Sequence, residues 1–185
     1  AVIHQSSLSD VDCPELFSFA ENDFTYSGIL SGLERFYANA SEPFVLCGLS
    51  LGALLALDYT IRHPERISSL ILVGAQYKVP TRLIDFQNLI FRCMPEKTFA
   101  DMGLSKHDTI QLSHSMRTLD FSSKLSKIHC PVTVICGDKD RANLKAAKQL
   151  HALLPQSHLH IIPAAGHEVN KDAPKALAAL IENCI

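Results

Sequence analysis

The sequence FVLCGLSLGALLAL, residues 44–57, contains the motif on which the rest of the interpretation depends. Apolar residues precede Gly48 and a longer apolar run follows Gly52, so the stretch predicts a buried strand, a tight turn and a helix. The turn carries Gly-x-Ser-x-Gly with Ser50 at its centre. Gly48 and Gly52 are expected to be small because the strand and helix backbones approach each other closely at such a turn.

A serine at the centre of this turn is a candidate nucleophile. The turn exposes the Ser50 hydroxyl and directs the backbone N–H of Leu51 to the same point in space. The helix N-terminus adds positive potential where an oxyanion would form. The motif alone is weak evidence, since an ordinary serine at a glycine-rich helix start is the alternative, but the strand–turn–helix context favours the nucleophile.

Further apolar runs predict a parallel sheet. Residues 69–74 and 131–137 are nearly continuous apolar stretches that end at glycine, and residues 157–163 form another candidate strand. Val11–Leu16 is predicted to be a short strand as well. Because helical patterns alternate with these strands, the sequence predicts an α/β fold, a mostly parallel sheet with helices on both faces.

One segment differs from the rest of the chain in its composition. Residues 76–128 are more polar, contain breaks at proline and glycine, and carry short helical patterns at 82–94 and 106–119. This composition predicts an inserted helical cap, and residues 1–75 and 129–185 then form the core of the fold.

Two loops besides the Ser50 turn place reactive residues at the carboxyl ends of predicted strands. In parallel sheets of this kind, functional sites usually lie at these ends. Asp138 and Asp140 follow one strand and His167 follows the last one. Serine needs a base to take its proton, and a histidine base needs an acid to fix its tautomer. Geometry favours Asp140, which lies further into its loop, and leaves Asp138 open. Either aspartate could instead cap the helix near Asn143.

Composition limits the classes of partner. The chain has 185 residues and a formal net charge of -2, with no basic stripe to suggest nucleic acid. No polybasic run or apolar stretch of about 20 residues suggests a membrane. Because six cysteines occur in a chain without a recognisable secretion signal, we expect reduced thiols and a cytoplasmic protein. Cys47 and Cys136 are expected to be buried within strands.

Histidine is the other residue type that could indicate a bound ion. His158 and His160 alternate along a predicted strand and could mimic a metal pair. A third ligand is not evident near them, so we expect no metal site and no cofactor.

From about Val11 to its end, the chain resembles the α/β-hydrolase superfamily, in particular small esterase- and peptidase-like members with a helical cap. The resemblance is carried by 48–52 with PERI at 64–67 and LILV at 70–73, by 131–140, and by AGHE at 165–168. It implies a serine hydrolase that cleaves an ester, amide or related small-molecule acyl substrate. A non-catalytic ligand-binding member of the same fold is the alternative.

The resemblance also implies residue roles. Ser50 would be the nucleophile, His167 the base, Asp140 rather than Asp138 the acid, and the Leu51 N–H an oxyanion donor. Residues 76–128 would be the cap that shapes the substrate pocket.

The front of the chain departs from the family pattern. Members normally have two or three further strands before the position of Val11, and a His-Gly type loop that supplies a second oxyanion N–H. We expect residues 1–8 to be the tail of a preceding helix, so that the chain begins partway into the fold. Self-association through the exposed sheet edge is then expected. Otherwise Gln5 or Ser6 would have to supply the second donor.

Overall fold

The computed structural model describes residues 11–21, 23–100 and 103–184. The strands are β1 (Phe44–Leu49), β2 (Ile67–Val73), β3 (Val132–Gly137) and β4 (Ser157–Ile162). The helices are α1 (Tyr26–Phe36), α2 (Leu51–Arg62), α3 (Thr81–Cys93), α4 (Lys97–Ala100), α5 (Lys106–Ser115), α6 (Leu144–Leu153), α7 (Val169–Asp172) and α8 (Pro174–Glu182), with 3-10 turns at Leu16–Ala20, Pro64–Arg66 and Ser122–Lys127.

The strands form a parallel sheet in the order β1-β2-β3-β4. Leu49 pairs with Val73, Val73 with Ile135, and Gly137 with Ile162, so the carboxyl ends of the strands lie together at one edge. Residues that follow each strand are therefore brought to a common place, which is the arrangement that the sequence predicts.

Helices cover both faces of the sheet. Helix α2 packs on β1 and β2, and α6 packs on β3 and β4, so each helix lies against the two neighbouring parallel strands that it connects. On the other face, α7 and α8 help to close a buried apolar cluster of Ile71, Val73, Ile135, Ile162, Ala165, Val169 and Leu177. Burying one such aliphatic side chain stabilises the fold by about 1.5–3 kcal/mol. The predicted α/β fold with a parallel sheet is confirmed.

The chain divides into two compact units. The described part of the first unit contains residues 11–13, 40–77 and 121–184, which include the whole sheet. The second unit is helical and contains residues 14–39 and 78–120. Residues 78–120 fall inside the segment expected to be a cap, and the role of that segment stays a prediction.

Side-chain caps begin two helices of the second unit. The Thr25 hydroxyl accepts the Gly28 N–H at the start of α1, and the Ser105 hydroxyl accepts the Asp108 N–H at the start of α5, each at 3.0 Å. Such caps satisfy N–H groups that have no carbonyl partner within the helix, and each stabilises by about 1 kcal/mol.

Two expectations about the sheet are wrong. Val11–Leu16 is not a strand: residues 11–15 have no regular structure and a 3-10 turn begins at Leu16. Pro14 has no N–H to donate to a ladder, and within the described sheet β1 pairs only with β2. Cys47 is exposed rather than buried, and it lies on β1, which is an outer strand of the described sheet. Self-association through this edge stays a prediction.

The helices can also be compared with the length of a membrane span. Within residues 11–21, 23–100 and 103–184, a helix with the length and hydrophobicity of such a span does not occur.

Candidate active site

Ser50 joins β1 to α2 in a backbone conformation that residues with a side chain rarely adopt. Its φ is 56° and its ψ is -114°. The Ser50 N–H donates to the Val73 carbonyl at 2.9 Å, and the Ser50 carbonyl accepts the N–H groups of Ala53 and Leu54. Positive φ outside glycine costs on the order of 1–3 kcal/mol and persists only where surrounding contacts enforce it. These backbone bonds, from β2 on one side and α2 on the other, hold the turn.

The two glycines of the motif differ in what they contribute. A Cβ built on Gly48 would lie 2.2 Å from the Gly52 carbonyl oxygen, so Gly48 has no room for a side chain, as expected. A Cβ built on Gly52 would meet no described atom within 4 Å. The expectation of crowding is therefore wrong for Gly52, which takes part in the close approach through its backbone alone.

The other predicted residues meet Ser50 at the carboxyl edge of the sheet. His167 Nε2 lies 2.9 Å from Ser50 Oγ, and His167 Nδ1 lies 2.8 Å from Asp140 Oδ2. The Asp140 side chain is 4% exposed and the His167 side chain is 42% exposed. The imidazole is thus accessible while the carboxylate is shielded. Asp138, the alternative acid, is exposed at the end of β3.

Asp140 also shapes the turn in which it lies. Its Oδ1 accepts the Asn143 N–H at 3.2 Å, and its carbonyl accepts the Leu144 N–H at 2.9 Å. The turn-forming use of this aspartate and its contact with His167 are therefore not alternatives, because one carboxylate serves both.

The loop that carries His167 is fixed on two sides. The Gly166 N–H donates to Asp172 Oδ2 at 2.7 Å, which ties the loop to α7. A Cβ built on Gly137 would lie 2.2 Å from the Ala165 carbonyl oxygen, so the loop packs directly against the end of β3. Ala164 has a φ of 62°, which turns the chain out of β4 toward this position.

Gly74 is a residue of the site that sequence reasoning missed. Its φ is +58°, and a Cβ built on it would lie 3.2 Å from His167 Nδ1 and 3.6 Å from Asp140 Oδ2. The His167–Asp140 pair therefore occupies the space above a glycine at the end of β2. The sequence does show that the apolar run of β2 ends at this glycine. It does not show which loop lies against the glycine.

Asn143 and Gln76 were missed as well. Asn143 Nδ2 lies 2.8 Å from Asp140 Oδ2 and 3.0 Å from Asp140 Oδ1. Gln76 Nε2, from the loop after β2, lies 2.6 Å from Asn143 Oδ1. Asn143 stands three residues after Asp140, and in the sequence alone this spacing indicates only a helix start.

The role of the Leu51 N–H as an oxyanion donor stays a prediction. Leu51 is the first residue of α2, and the first N–H groups of a helix have no carbonyl partner within it. The expectations for residues 1–8, including Gln5 and Ser6 as a second donor, lie outside the described residues.

Cys136 is a second potential nucleophile near the site. It is buried in β3, and burial, with a smaller effect of the nearby Asp140 carboxylate, raises the pKa of its thiol to about 11. A thiol in this state is protonated at neutral pH and is a poor nucleophile. The six cysteines, all within the described ranges, are free.

His158 and His160 are exposed on β4. Over the part of the chain that the structure describes, no group of three or more His, Cys, Asp or Glu side chains could hold a metal ion.

An open cleft of about 720 Å³ lies elsewhere on the first unit. It is lined by residues that precede β3 and β4, among them Ile128 and Gln156. The cleft is therefore at the amino ends of these strands, away from Ser50.

Comparison with known proteins agrees with the fold and identifies the family. A sequence model described as the alpha/beta hydrolase family matches residues 8–180. A protein of Bacillus subtilis (strain 168), named as a proposed 2-succinyl-6-hydroxy-2,4-cyclohexadiene-1-carboxylate synthase, is 23% identical over 225 residues, which cover 97% of this chain and 81% of that protein. RutD of Escherichia coli (strain K12 / DH10B), named as a proposed carbamate hydrolase, is 25% identical over 174 residues, which cover 77% of this chain and 65% of RutD.

Among solved structures, the esterase EaEST from Exiguobacterium antarcticum has a TM-score of 0.74 at 20% identity, with 86% of this chain and 73% of that chain covered. This likeness concerns the fold, whereas the family match extends over almost the whole sequence. The chain therefore belongs to the alpha/beta hydrolase family of enzymes.

Proposed function

We propose that this protein is a serine hydrolase that cleaves an ester, amide or related acyl substrate through Ser50, His167 and Asp140. The single observation that supports this most is the continuous hydrogen-bonded series from Ser50 Oγ through both ring nitrogens of His167 to Asp140 Oδ2, at 2.9 and 2.8 Å. Serine, base and acid in this order of contact match the requirements of nucleophilic acyl transfer.

In the first half of the reaction, Ser50 Oγ attacks the carbonyl carbon of the substrate while its proton moves to His167 Nε2. The tetrahedral intermediate collapses when the bond from carbon to the leaving group breaks, and the leaving group takes the proton from Nε2. The acyl group is then bonded to Ser50. Asp140 accepts the Nδ1–H throughout and stabilises the imidazolium that forms transiently.

In the second half, water takes the place of the leaving group. His167 Nε2 accepts a proton from the water as its oxygen attacks the acyl carbon, and the proton then passes to Ser50 Oγ as the ester bond breaks. The products are a carboxylic acid, or the corresponding carbamic or related acid, and the free enzyme.

Negative charge develops on the carbonyl oxygen in both halves. The Leu51 N–H supplies one donor, and the N-terminus of α2 adds positive potential at the same place. A single such donor is worth about 10²–10³-fold in rate.

The names of the relatives support the substrate class at a coarse level. RutD is named for carbamate hydrolysis and EaEST is named as an esterase, and in both chemistries a nucleophile attacks an acyl carbon. We propose a small acyl compound of this general type for the present chain, without assigning the leaving group.

The test is turnover of the purified chain on a panel of p-nitrophenyl esters of different acyl length, an aminoacyl anilide and an aryl carbamate. We expect hydrolysis of at least one member, with loss of that activity in Ser50→Ala. If no member is hydrolysed, or if Ser50→Ala is as active as the original chain, the proposal is wrong. A non-catalytic ligand-binding role would then explain the first of these results.

A further inference from the structure

The side-chain amide of Asn143 contacts both members of the His167–Asp140 pair. Nδ2 lies 3.0 Å from Asp140 Oδ1, 2.8 Å from Asp140 Oδ2 and 3.0 Å from His167 Nδ1. Asn143 is 8% exposed. A buried amide this close to three polar atoms is expected to act on them, because water does not compete for its hydrogens.

The orientation of this amide follows from Gln76. Gln76 Nε2 lies 2.6 Å from Asn143 Oδ1 and 3.3 Å from the Ala142 carbonyl oxygen. Since an NH₂ group is only a donor, it fixes Asn143 with its oxygen toward Gln76 and its own NH₂ group toward the carboxylate. The loop after β2 thereby determines which end of the Asn143 amide faces Asp140.

The contacts account for the whole acceptor capacity of Asp140. An ionised carboxylate accepts about four hydrogen bonds. Oδ1 is contacted by Asn143 Nδ2 and by the Asn143 backbone N–H, and Oδ2 by Asn143 Nδ2 and His167 Nδ1. Without the Asn143 side chain, the donors to the buried carboxylate among the described residues would be His167 and one backbone N–H at 3.2 Å.

Asn143 Nδ2 could in principle act on His167 instead. Asn143 Nδ2 could donate to His167 Nδ1 only if the imidazole carried its proton on Nε2. In that tautomer Nε2 cannot accept the Ser50 proton. Hydrogen bonds to an ionised acceptor are about twice as strong as those between neutral groups. The two contacts with the Asp140 carboxylate are therefore expected to prevail over the contact with the neutral ring.

We infer that Asn143 is a positioning residue, which holds the Asp140 carboxylate in the orientation that keeps the His167 proton on Nδ1, and that Gln76 orients Asn143 for this task. The inference rests on the proposed function, since the selected tautomer matters only if His167 Nε2 accepts the Ser50 proton. It adds two residues to the functional site, from different loops at the carboxyl edge of the sheet.

The first test is kinetic, on the ester that the original chain hydrolyses fastest. We expect Asn143→Ala to lower kcat by roughly 10- to 100-fold and to change KM by less than about threefold, as for a group that acts on the chemical step alone. Asn143→Asp has the same size but places a second carboxylate beside Asp140, so its loss of kcat should equal or exceed that of Asn143→Ala. If Asn143→Asp keeps most of the activity, Asn143 acts by filling space and the inference is overturned.

Gln76→Ala leaves the Asn143 amide in place but removes the group that orients it. We expect a loss of kcat in the same direction and smaller than that of Asn143→Ala. A double variant with both substitutions should be no worse than Asn143→Ala alone, since both residues act through the same carboxylate. Fully additive losses would contradict a common route through Asp140.

The second test needs no turnover and so separates this inference from the proposed function. In protein labelled with ¹⁵N-histidine, the ring nitrogen shifts of His167, assigned by their absence from His167→Gln, report which nitrogen carries the proton. We expect the neutral imidazole to carry it on Nδ1 in the original chain, and the fraction on Nε2 to rise in Asn143→Ala. An unchanged fraction would overturn the inference. A larger fraction on Nδ1 in Asn143→Ala would overturn it too, because it would mean that Asn143 donates to Nδ1 and so favours the proton on Nε2.

Discussion

His167 Nε2 lies 2.9 Å from Ser50 Oγ, although 117 positions separate the two residues in the sequence. Ser50 follows β1 and His167 follows β4, at opposite edges of the described sheet. With strands about 4.8 Å apart, three strand spacings must be bridged. The His167 loop crosses the ends of β3 and β2, where Gly137 and Gly74 leave the space that side chains would fill. The glycines at these strand ends thus allow the contact to form.

The first prediction concerns Gly74. A methyl group there would lie 3.2 Å from the His167 ring, so Gly74→Ala should displace the imidazole and lower kcat by roughly 100-fold, the usual cost of a misplacement near 1 Å. Gly103→Ala is the matched control, since Gly103 also has positive φ but, among the described residues, no atom lies within 4 Å of the added Cβ. Both variants should lose about 1–2 kcal/mol of stability, measured by urea unfolding. Equal kcat in the two variants would contradict the account of Gly74.

The second prediction separates the two glycines of the Ser50 turn. Gly48→Ala would force a methyl group against the Gly52 carbonyl, and we expect a loss of at least about 2 kcal/mol in the free energy of unfolding. Gly52→Ala adds a methyl group that meets no described atom within 4 Å, at a helix position where alanine is favoured by up to about 1 kcal/mol. Urea denaturation of the two variants should therefore show changes of opposite sign or of very different size. Similar losses would show that the turn is crowded on both sides.

The third prediction concerns the acid. Asp140→Asn keeps the shape of the side chain but removes the charge that fixes the His167 tautomer, so kcat should fall by roughly 10²–10⁴-fold. Asp138→Asn alters an exposed side chain at the same strand end and should cost at least about tenfold less. Steady-state kinetics on one ester compares them directly. Equal losses would leave the choice between the two aspartates open again.

A fourth prediction uses cysteine chemistry to test the packing of β3. Cys136 is buried and its thiol has a pKa raised to about 11, whereas Cys93 is exposed at the end of α3. Iodoacetamide at pH 8 should modify Cys93 quickly and leave Cys136 intact, because only an accessible thiolate reacts. Peptide mass analysis of native and urea-unfolded protein gives the two rates. Modification of Cys136 in the native protein at the rate of Cys93 would contradict a closed core behind Asp140.

Much of the site follows from local sequence patterns. Ser50 is recognisable because its motif, the preceding strand and the following helix are contiguous, and His167 is recognisable because it follows a strand and a glycine. The choice of Asp140 over Asp138 is less local, since it depends on which carboxylate turns inward from its loop. In the structure Asp140 is buried and Asp138 is exposed, which favours Asp140.

Other features depend on contacts between distant segments and have no local signal. Gly74 and Gln76 come to the site from the loop after β2, and Asn143 from the loop after β3. The order of the strands determines which loops meet, and that order cannot be predicted from any single segment of the sequence. The prediction of a strand at Val11–Leu16 is wrong for the same reason, because a segment forms a strand only where another strand lies beside it to pair with.

Catalysis by this chain requires that Ser50 be an activated nucleophile, and this property can be measured directly. A fluorophosphonate reacts with serine hydroxyls that a neighbouring base activates, and mass analysis of the intact protein and its peptides locates the adduct. We expect one adduct, on Ser50, that forms rapidly in the original chain, slowly in His167→Ala, and not at all in Ser50→Ala. An unlabelled original chain, or an adduct that persists in Ser50→Ala, would contradict this expectation.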